Sequence, residues 1–113
     1  MRVAVVGSRS LMVKDVGEYL PAGTTEIISG GAKGVDASAR RWAKRQGMPM
    51  MEYLPDYRRW GRGAPLRRND EILARAEYAV IFWDGISRGT AYMIRCCMEK
   101  RIPFRLIYLR AST

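Results

Sequence analysis

Three glycine-containing turns carry the residue types that hold phosphate groups, and the longest spans residues 29–36. It contains Ser29, Gly30, Gly31, Ala32, Lys33, Gly34 and Asp36 and lies between an apolar run at 25–28 and a helical pattern from residue 37. Glycines let backbone N–H groups approach a ligand because no Cβ stands in the way. The start of the following helix attracts anions. We therefore predict that this turn holds a phosphate-bearing ligand, with Lys33 as countercharge and Asp36 as a polar contact, for example to ribose.

Two weaker turns of the same kind follow the first and the fourth apolar runs. Gly7-Ser8-Arg9 offers a hydroxyl and a guanidinium fork suited to phosphate or carboxylate. In the turn at 84–90, Gly89 permits close approach, and Thr90 either caps the next helix or binds a phosphate oxygen. Ordinary tight turns and caps are the alternative explanation for each segment. Repetition favours a ligand site, to which these two turns add Gly7, Ser8, Arg9, Asp84, Ser87, Arg88, Gly89 and Thr90. Arg68 and Asn69, near the start of the third long helical pattern, are further candidates, with helical surface charge as the alternative.

The turns match neither of the two common phosphate-binding motifs. The G-x-x-x-x-G-K-[ST] spacing is absent, and the longest turn is not G-x-G-x-x-G and follows the second apolar run rather than the first. Because backbone amides can hold phosphate without a metal, we expect neither a metal ion nor a resident cofactor. The chain has no histidine, which excludes histidine-ligated zinc and an imidazole general base.

Alternation of apolar runs with helical patterns predicts the elements that position these turns. Strands are predicted at 2–6, 26–29, 48–54, 78–83 and 104–109, with the third at a sheet edge, and helices at 14–20, 37–46, 65–76 and 89–101. Residues 55–64 are predicted to form a long loop. This pattern is typical of a Rossmann-like three-layer α/β fold, with about five mainly parallel strands and helices on both faces. The turns after strands one, two and four would then share one edge of the sheet.

Length and composition bound the class of protein. The 113 residues predict a single domain over 1–113. No apolar run reaches the roughly 18–20 residues of a membrane span, and the N-terminus lacks a secretory pattern, so we expect a cytoplasmic protein without membrane partners. The adjacent Cys96 and Cys97 are expected to serve packing, since a bridge between sequence neighbours would strain a helix.

The net charge of +9 leaves the class of anionic partner open. Five arginines crowd the segment 58–68 beside Tyr57 and Trp60, and a second basic group lies at 40–45. Such clusters suit a nucleic acid, an anionic metabolite or only a solvated surface. Exposed Tyr57 and Trp60 also permit a homodimer. A nucleotide-like small molecule is the expected partner, and nucleic acid is the alternative.

Taken together, these motifs resemble the SLOG superfamily, and specifically its small YspA/YpsA-related members. The matching pieces are Val-Gly-Ser-Arg at 6–9, Ser-Gly-Gly-Ala-Lys-Gly-Val-Asp at 29–36, Arg-Asn at 68–69 and Phe-Trp-Asp-Gly-x-Ser-Arg-Gly-Thr at 82–90. The resemblance covers residues 3–109. It implies a Rossmann-like fold that binds nucleotides or nucleotide-derived ligands, either as a sensor or as a nucleotide-processing enzyme. The DNA-binding protein DprA is a distant relative.

One departure from the related LOG phosphoribohydrolases bears on catalysis. Their P-G-G-x-G-T-x-x-E motif is matched by Gly89-Thr90, but Met93 stands where that family has its glutamate. A thioether cannot relay protons as a carboxylate does. We therefore expect a nucleotide binder or sensor. The alternatives are a hydrolase that cleaves an N-glycosidic or phosphoester bond with Asp36 or Asp84, and a single-stranded nucleic-acid-binding module.

Overall fold

Five parallel strands form the centre of the protein. The computed structural model describes residues 1–111. Its strands are β1 (Arg2–Gly7), β2 (Glu26–Ser29), β3 (Met50–Glu52), β4 (Tyr78–Trp83) and β5 (Phe104–Tyr108). They pair in the order β3-β2-β1-β4-β5, and every pair is parallel. The expected parallel sheet and the edge position of the third strand are confirmed.

Helices cover both faces of this sheet. They are α1 (Val35–Gln46), α2 (Tyr57–Trp60), α3 (Ala64–Arg75) and α4 (Arg88–Glu99), with short 3-10 helices at Val16–Tyr19 and Gly61–Gly63. One core packs α1 and the first 3-10 helix against one face, with Trp42 and Val16 among its residues. The other core packs α3 and α4 against the opposite face, through Ile72 and Cys97. The three-layer Rossmann-like α/β fold is therefore confirmed.

The central strands are buried because they are covered from both sides. Residues 3–6 of β1 and 79–82 of β4 are all buried, and they are rich in valine and isoleucine. Continuous apolar sequence of this kind is typical of strands in a parallel sheet. Cys96 and Cys97 are free thiols on the buried side of α4. No helix in residues 1–111 combines the length and hydrophobicity needed to cross a membrane.

Two predicted elements are shorter than the sequence pattern indicates. The helix predicted at 14–20 is only the 3-10 helix Val16–Tyr19, in which the Asp15 carboxylate accepts a hydrogen bond from the Gly17 N–H at 3.1 Å. Pro21 follows almost at once and leaves no room for a longer helix. The strand predicted at 48–54 is reduced to Met50–Glu52, since it pairs on one side only. Other boundaries agree within two residues.

The loop predicted at 55–64 is wrong in part, because it contains α2 and the second 3-10 helix. The Asp56 side chain caps α2 by accepting a hydrogen bond from the Arg59 N–H at 3.2 Å. None of the α2 residues is buried. A one-turn helix without an apolar face leaves no periodic signal, so hydrophobic pattern could not reveal it.

Candidate functional site

A cleft of about 660 Å³ opens at the carboxyl ends of β1, β2 and β4. The order of strands reverses between β1 and β4, and ligands of open α/β folds bind at such a point. The cleft is lined by Val6, Gly7, Arg9, Gly30, Gly31, Ala32, Lys33, Asp36, Pro55, Tyr57, Pro65, Leu66, Arg68, Asn69, Ile72, Ser87, Arg88, Gly89, Thr90 and Met93. All three glycine-containing turns therefore meet at one site. In chain order, we call them the first turn (7–9), the second turn (29–36) and the third turn (84–90).

Three residues that line this cleft have backbone N–H groups without acceptors. Within residues 1–111, the N–H groups of Gly31, Lys33 and Gly89 donate to no protein atom. Gly89 lies in the first turn of α4, where the helix dipole favours negative charge. An added Cβ at Gly89 would meet nothing within 4 Å, so the space beside it is open. We call these three residues the amide wall.

Gly34 joins the first turn to the second. Its φ of 78° and ψ of −125° lie where side chains are rarely tolerated. A Cβ at this position would come within 2.6 Å of the Arg9 backbone. The N–H of Val35 also donates to the Ser8 carbonyl at 3.4 Å. Close packing of two backbones thus requires the glycine, which stands behind the cleft and does not line it.

The third turn is organised by Asp84 and Ser87. One oxygen of Asp84 accepts hydrogen bonds from the N–H groups of Ile86 and Ser87, at 2.9 and 2.8 Å, and the other accepts from the Ser10 hydroxyl at 2.6 Å. These hydrogen bonds lower the pKa of Asp84 to about 2, and the bond from Ser10 has the largest effect. Ser87 caps α4 by accepting from the Thr90 N–H at 3.3 Å. Capping therefore belongs to Ser87, and the suggestion that Thr90 is the cap is wrong.

Ser8 and Ser29 hold backbone in place behind the cleft. The buried Ser8 hydroxyl bonds that of Thr90 at 3.2 Å and accepts from the Asp84 N–H at 3.1 Å. It therefore links the first turn to the third. The Ser29 hydroxyl donates to the Val5 carbonyl at 2.8 Å, and Ser29 is fully buried. Neither serine lines the cleft.

Asp36 places a buried carboxyl group at the cleft. It is only 5 % exposed. One oxygen accepts from the Ala32 N–H at 3.2 Å, and the other has no hydrogen-bond partner within residues 1–111. Burial raises the pKa of Asp36, while the hydrogen bond from Ala32, the nearby Ser29 hydroxyl and the charge of Arg68 oppose that rise. The group is thus suited to exchanging a proton nearer to neutrality than an ordinary aspartate.

Arg68 connects α3 to the second turn. Its guanidinium donates to the Gly30 carbonyl at 2.5 Å, and its Nε donates to the Asn69 side chain at 2.9 Å. Both residues line the cleft. Because two of its nitrogens are already engaged, Arg68 orders the turn as well as adding positive charge.

Three further cations line the cleft. Arg9, Lys33 and Arg88 are exposed. The ion pairs of residues 1–111 join other side chains, namely Arg2, Arg40, Arg75 and Lys100 with Glu77, Glu52, Glu26 and Asp70. The positive charge at the cleft is therefore not neutralised by neighbouring carboxylates in ion pairs.

A family model described as the YspA, cpYpsA-related SLOG family matches residues 1–60, just over half of the chain. The chain belongs to this family. SLOG membership suggests a nucleotide-related function. No curated protein and no solved structure matches the chain.

The matched part of the SLOG chain contains the first two turns of the cleft. The third turn and Arg68 lie beyond residue 60 and enter the site through the fold. Most residues that the sequence proposes for the site line the cleft. Those that do not are Ser8, Ser29, Gly34 and Asp84, which support the turns from behind.

Sequence motifs missed part of the lining of this SLOG cleft. Pro55, Tyr57, Pro65 and Leu66 line it on the α2 and α3 side. These residues belong to no ligand motif, so the sequence pattern does not reveal their place in the site; only the aromatic character of Tyr57 attracts notice. Met93, at the position of the LOG glutamate, is 3 % exposed and also reaches the cleft.

Proposed function

We propose that this SLOG chain binds a nucleotide or a nucleotide-derived ligand and acts as a ligand sensor. The observation that carries the proposal is the amide wall: Gly31, Lys33 and Gly89 line the cleft, and their N–H groups have no acceptor within residues 1–111. Phosphate oxygens would supply the missing acceptors, and the first turn of α4 favours their charge.

Side-chain charge and cleft size support the same ligand class. Arg9, Lys33 and Arg88 would neutralise a phosphate group, and Arg is suited to bidentate contact with its oxygens. Ligand pockets usually measure roughly 300–1,000 Å³. The cleft, at about 660 Å³, has room for a mononucleotide.

A titration series with a lysine pair tests the proposal. We expect AMP, ADP-ribose or NAD to bind in calorimetric titrations, and Lys33→Ala to weaken binding about tenfold to a hundredfold, because a hydrogen bond to a charged group is worth roughly 1.5–3 kcal/mol. Lys44→Ala is the matched control, since Lys44 is an exposed lysine on α1 that does not line the cleft. It should bind as the unchanged protein does.

Two outcomes would reject this function. Failure of all three nucleotides to bind, with a folded protein verified by circular dichroism, would remove the nucleotide class. Equal losses in the two lysine variants would show a general effect of charge rather than a site. A thermal-shift screen gives an independent measurement, because a ligand at 100 Kd stabilises by about 2.7 kcal/mol.

Hydrolysis of the bound nucleotide is a second candidate, and Asp36 favours it. A carboxyl group with a raised pKa at the wall of a cleft can act as a general acid or base. Asp84 is less suited, because its oxygens are bonded within the third turn and its pKa falls to about 2. If the protein releases free base from the same nucleotides, and if this release disappears in Asp36→Asn, then the protein is an enzyme and not a sensor.

A further inference from the structure

One side of the cleft differs in chemistry from the amide wall. Pro55, Tyr57, Pro65 and Leu66 form what we call the apolar wall. Neither proline has a backbone N–H, and leucine brings only hydrocarbon to the cleft. This surface offers few polar groups to a phosphate. An anionic ligand held at the amide wall would leave it uncovered unless the ligand also carried an apolar part.

Tyr57 is the aromatic residue of this apolar wall. Tyr57 is 60 % exposed, and its neighbour in the apolar wall, Leu66, is 44 % exposed. Within residues 1–111, Tyr57 forms no side-chain hydrogen bond and no aromatic pair; the aromatic pair in this part of the chain joins Tyr19 to Phe82, which lie in the core that packs α1. A large ring that neither packs in the core nor bonds to a neighbouring side chain is free to contact a ligand.

The helix that carries Tyr57 is fixed to the cleft through Trp60. The guanidinium carbons of Arg59 and Arg67 lie 4.9 and 4.1 Å from the Trp60 ring centroid. Arg67 belongs to α3, next to Leu66 and Arg68. Cation–π contact thus attaches α2 to α3, although α2 buries none of its own residues. The contacts of Trp60 therefore position Tyr57 at the cleft and leave the Tyr57 ring unused.

We propose that Tyr57 is the base-stacking residue of the site, so that the ligand lies with its phosphate on the amide wall and its nucleobase on the apolar wall. This inference rests on the proposed function and adds an orientation and a ligand class. It requires a planar ring joined to an anionic group. A sugar phosphate without a base would use the amide wall alone.

Variants at two exposed tyrosines test this assignment. The probes are the tightest binder among AMP, ADP-ribose and NAD, and ribose 5-phosphate as the comparator without a base. We expect Tyr57→Ala to weaken nucleotide binding about fivefold to a hundredfold, as base stacking on an aromatic side chain does, and to leave ribose 5-phosphate unchanged. Tyr57→Phe keeps the ring and should remain within about twofold of the unchanged protein.

Tyr108 supplies the matched control. It is 63 % exposed, lies against Gly85 and does not line the cleft. Tyr108→Ala should therefore bind both ligands normally. Unchanged nucleotide affinity in Tyr57→Ala would overturn the stacking role, and so would equal losses for nucleotide and sugar phosphate. In either case, weakening by Lys33→Ala would leave the proposed function standing, whereas absence of all nucleotide binding would reject both.

Discussion

Within residues 1–111, Asp36 is the one buried side chain among the acidic and basic residues. Its carboxyl group is buried beside the second turn, and one of its oxygens has no hydrogen-bond partner within residues 1–111. Arg68 lies close enough to favour the charged form. Burial is nevertheless the largest influence, and it raises the pKa. A charged Asp36 therefore costs stability that the neutral acid does not.

We predict a pH-dependent gain of stability for Asp36→Asn. A raised folded pKa means that the native state binds more protons than the unfolded state between about pH 4 and the folded pKa, so Asp36 reduces stability as pH rises through this window. The asparagine has no charge to bury. The free energy of unfolding of the Asp36→Asn variant, relative to that of the unchanged protein, should therefore increase from pH 4 to 7.5. Urea titrations measure this difference.

Asp84→Asn is the control with the opposite sign. Hydrogen bonds from Ser10 and from the Ser87 and Ile86 amides lower the pKa of Asp84 in the unchanged protein to about 2. The stability that this carboxylate contributes is present above the unfolded pKa and is lost as pH falls toward 2. Asp84→Asn should therefore be less stable by a constant amount between pH 4.5 and 7.5. A pH-independent difference for Asp36→Asn over the same range would show that Arg68 and the amides outweigh burial.

Residue types predicted the lining of the cleft better than they predicted its supports. Lys33 and Gly89 reach the cleft as their motifs indicate. Ser8 and Ser29 carry hydroxyls that could bind a phosphate, but these hydroxyls contact buried partners instead, the Thr90 hydroxyl and the Val5 carbonyl. A rotamer choice of this kind depends on backbone groups far away in sequence, so the sequence pattern cannot reveal it.

Helix α2 shows why a one-turn helix is not predicted from its sequence. Four residues cannot offset the cost of helix nucleation by their own hydrogen bonds. The turn depends on the Asp56 cap and on Trp60, which lies between Arg59 and Arg67. Both arginines look like ordinary surface charge in the sequence. Their contact with Trp60 appears only when α3 is in place.

The first and second turns act as one unit through Gly34, and we predict that Gly34→Ala disrupts both. The alanine would adopt a strained φ, at a cost of roughly 1–3 kcal/mol, and its Cβ would press against the Arg9 backbone. We expect a loss of unfolding free energy in that range or above it, together with weaker nucleotide binding. Urea unfolding and calorimetric titration measure the two effects.

Gly47→Ala separates backbone strain from contact. Gly47 has a φ of 68° at the end of α1, and an added Cβ there would meet nothing within 4 Å. Its alanine variant should lose only the roughly 1–2 kcal/mol of a left-handed residue and bind nucleotide normally. If the two variants were equal in stability and in binding, close packing between the turns would have no energetic role.

For the whole molecule, alternation of strands and helices was sufficient to predict the sheet and the edge where the turns meet. That inference works because right-handed crossovers restrict the topology of parallel strands. Composition of the cleft was harder to predict. The apolar wall comes from the segment 55–66, which follows the short edge strand β3 and contains α2. Such a segment takes its conformation from tertiary contacts and not from a repeat in its sequence.

Charge is the other property that belongs to the whole molecule. The chain carries a net charge of +9. The arginines at 58–68 lie on or beside the helices that bear the apolar wall, while Arg9, Lys33 and Arg88 line the cleft itself. A surface of this kind raises the local concentration of anions and speeds their association. It does not by itself distinguish a nucleotide from a polymer of nucleotides.

Salt dependence makes that distinction, and we predict a shallow dependence. A ligand with one phosphate displaces few counterions, so the logarithm of its association constant should fall with the logarithm of NaCl concentration with a slope of about −1 to −2. A single strand held at six phosphates would give about −4. Calorimetric titrations of the nucleotide and of a twenty-residue oligothymidylate between 50 and 300 mM NaCl measure both slopes. We expect the nucleotide to bind more tightly at 150 mM NaCl. Tighter binding of the oligothymidylate at that concentration, with the steeper slope, would instead make the basic surface a nucleic-acid interface.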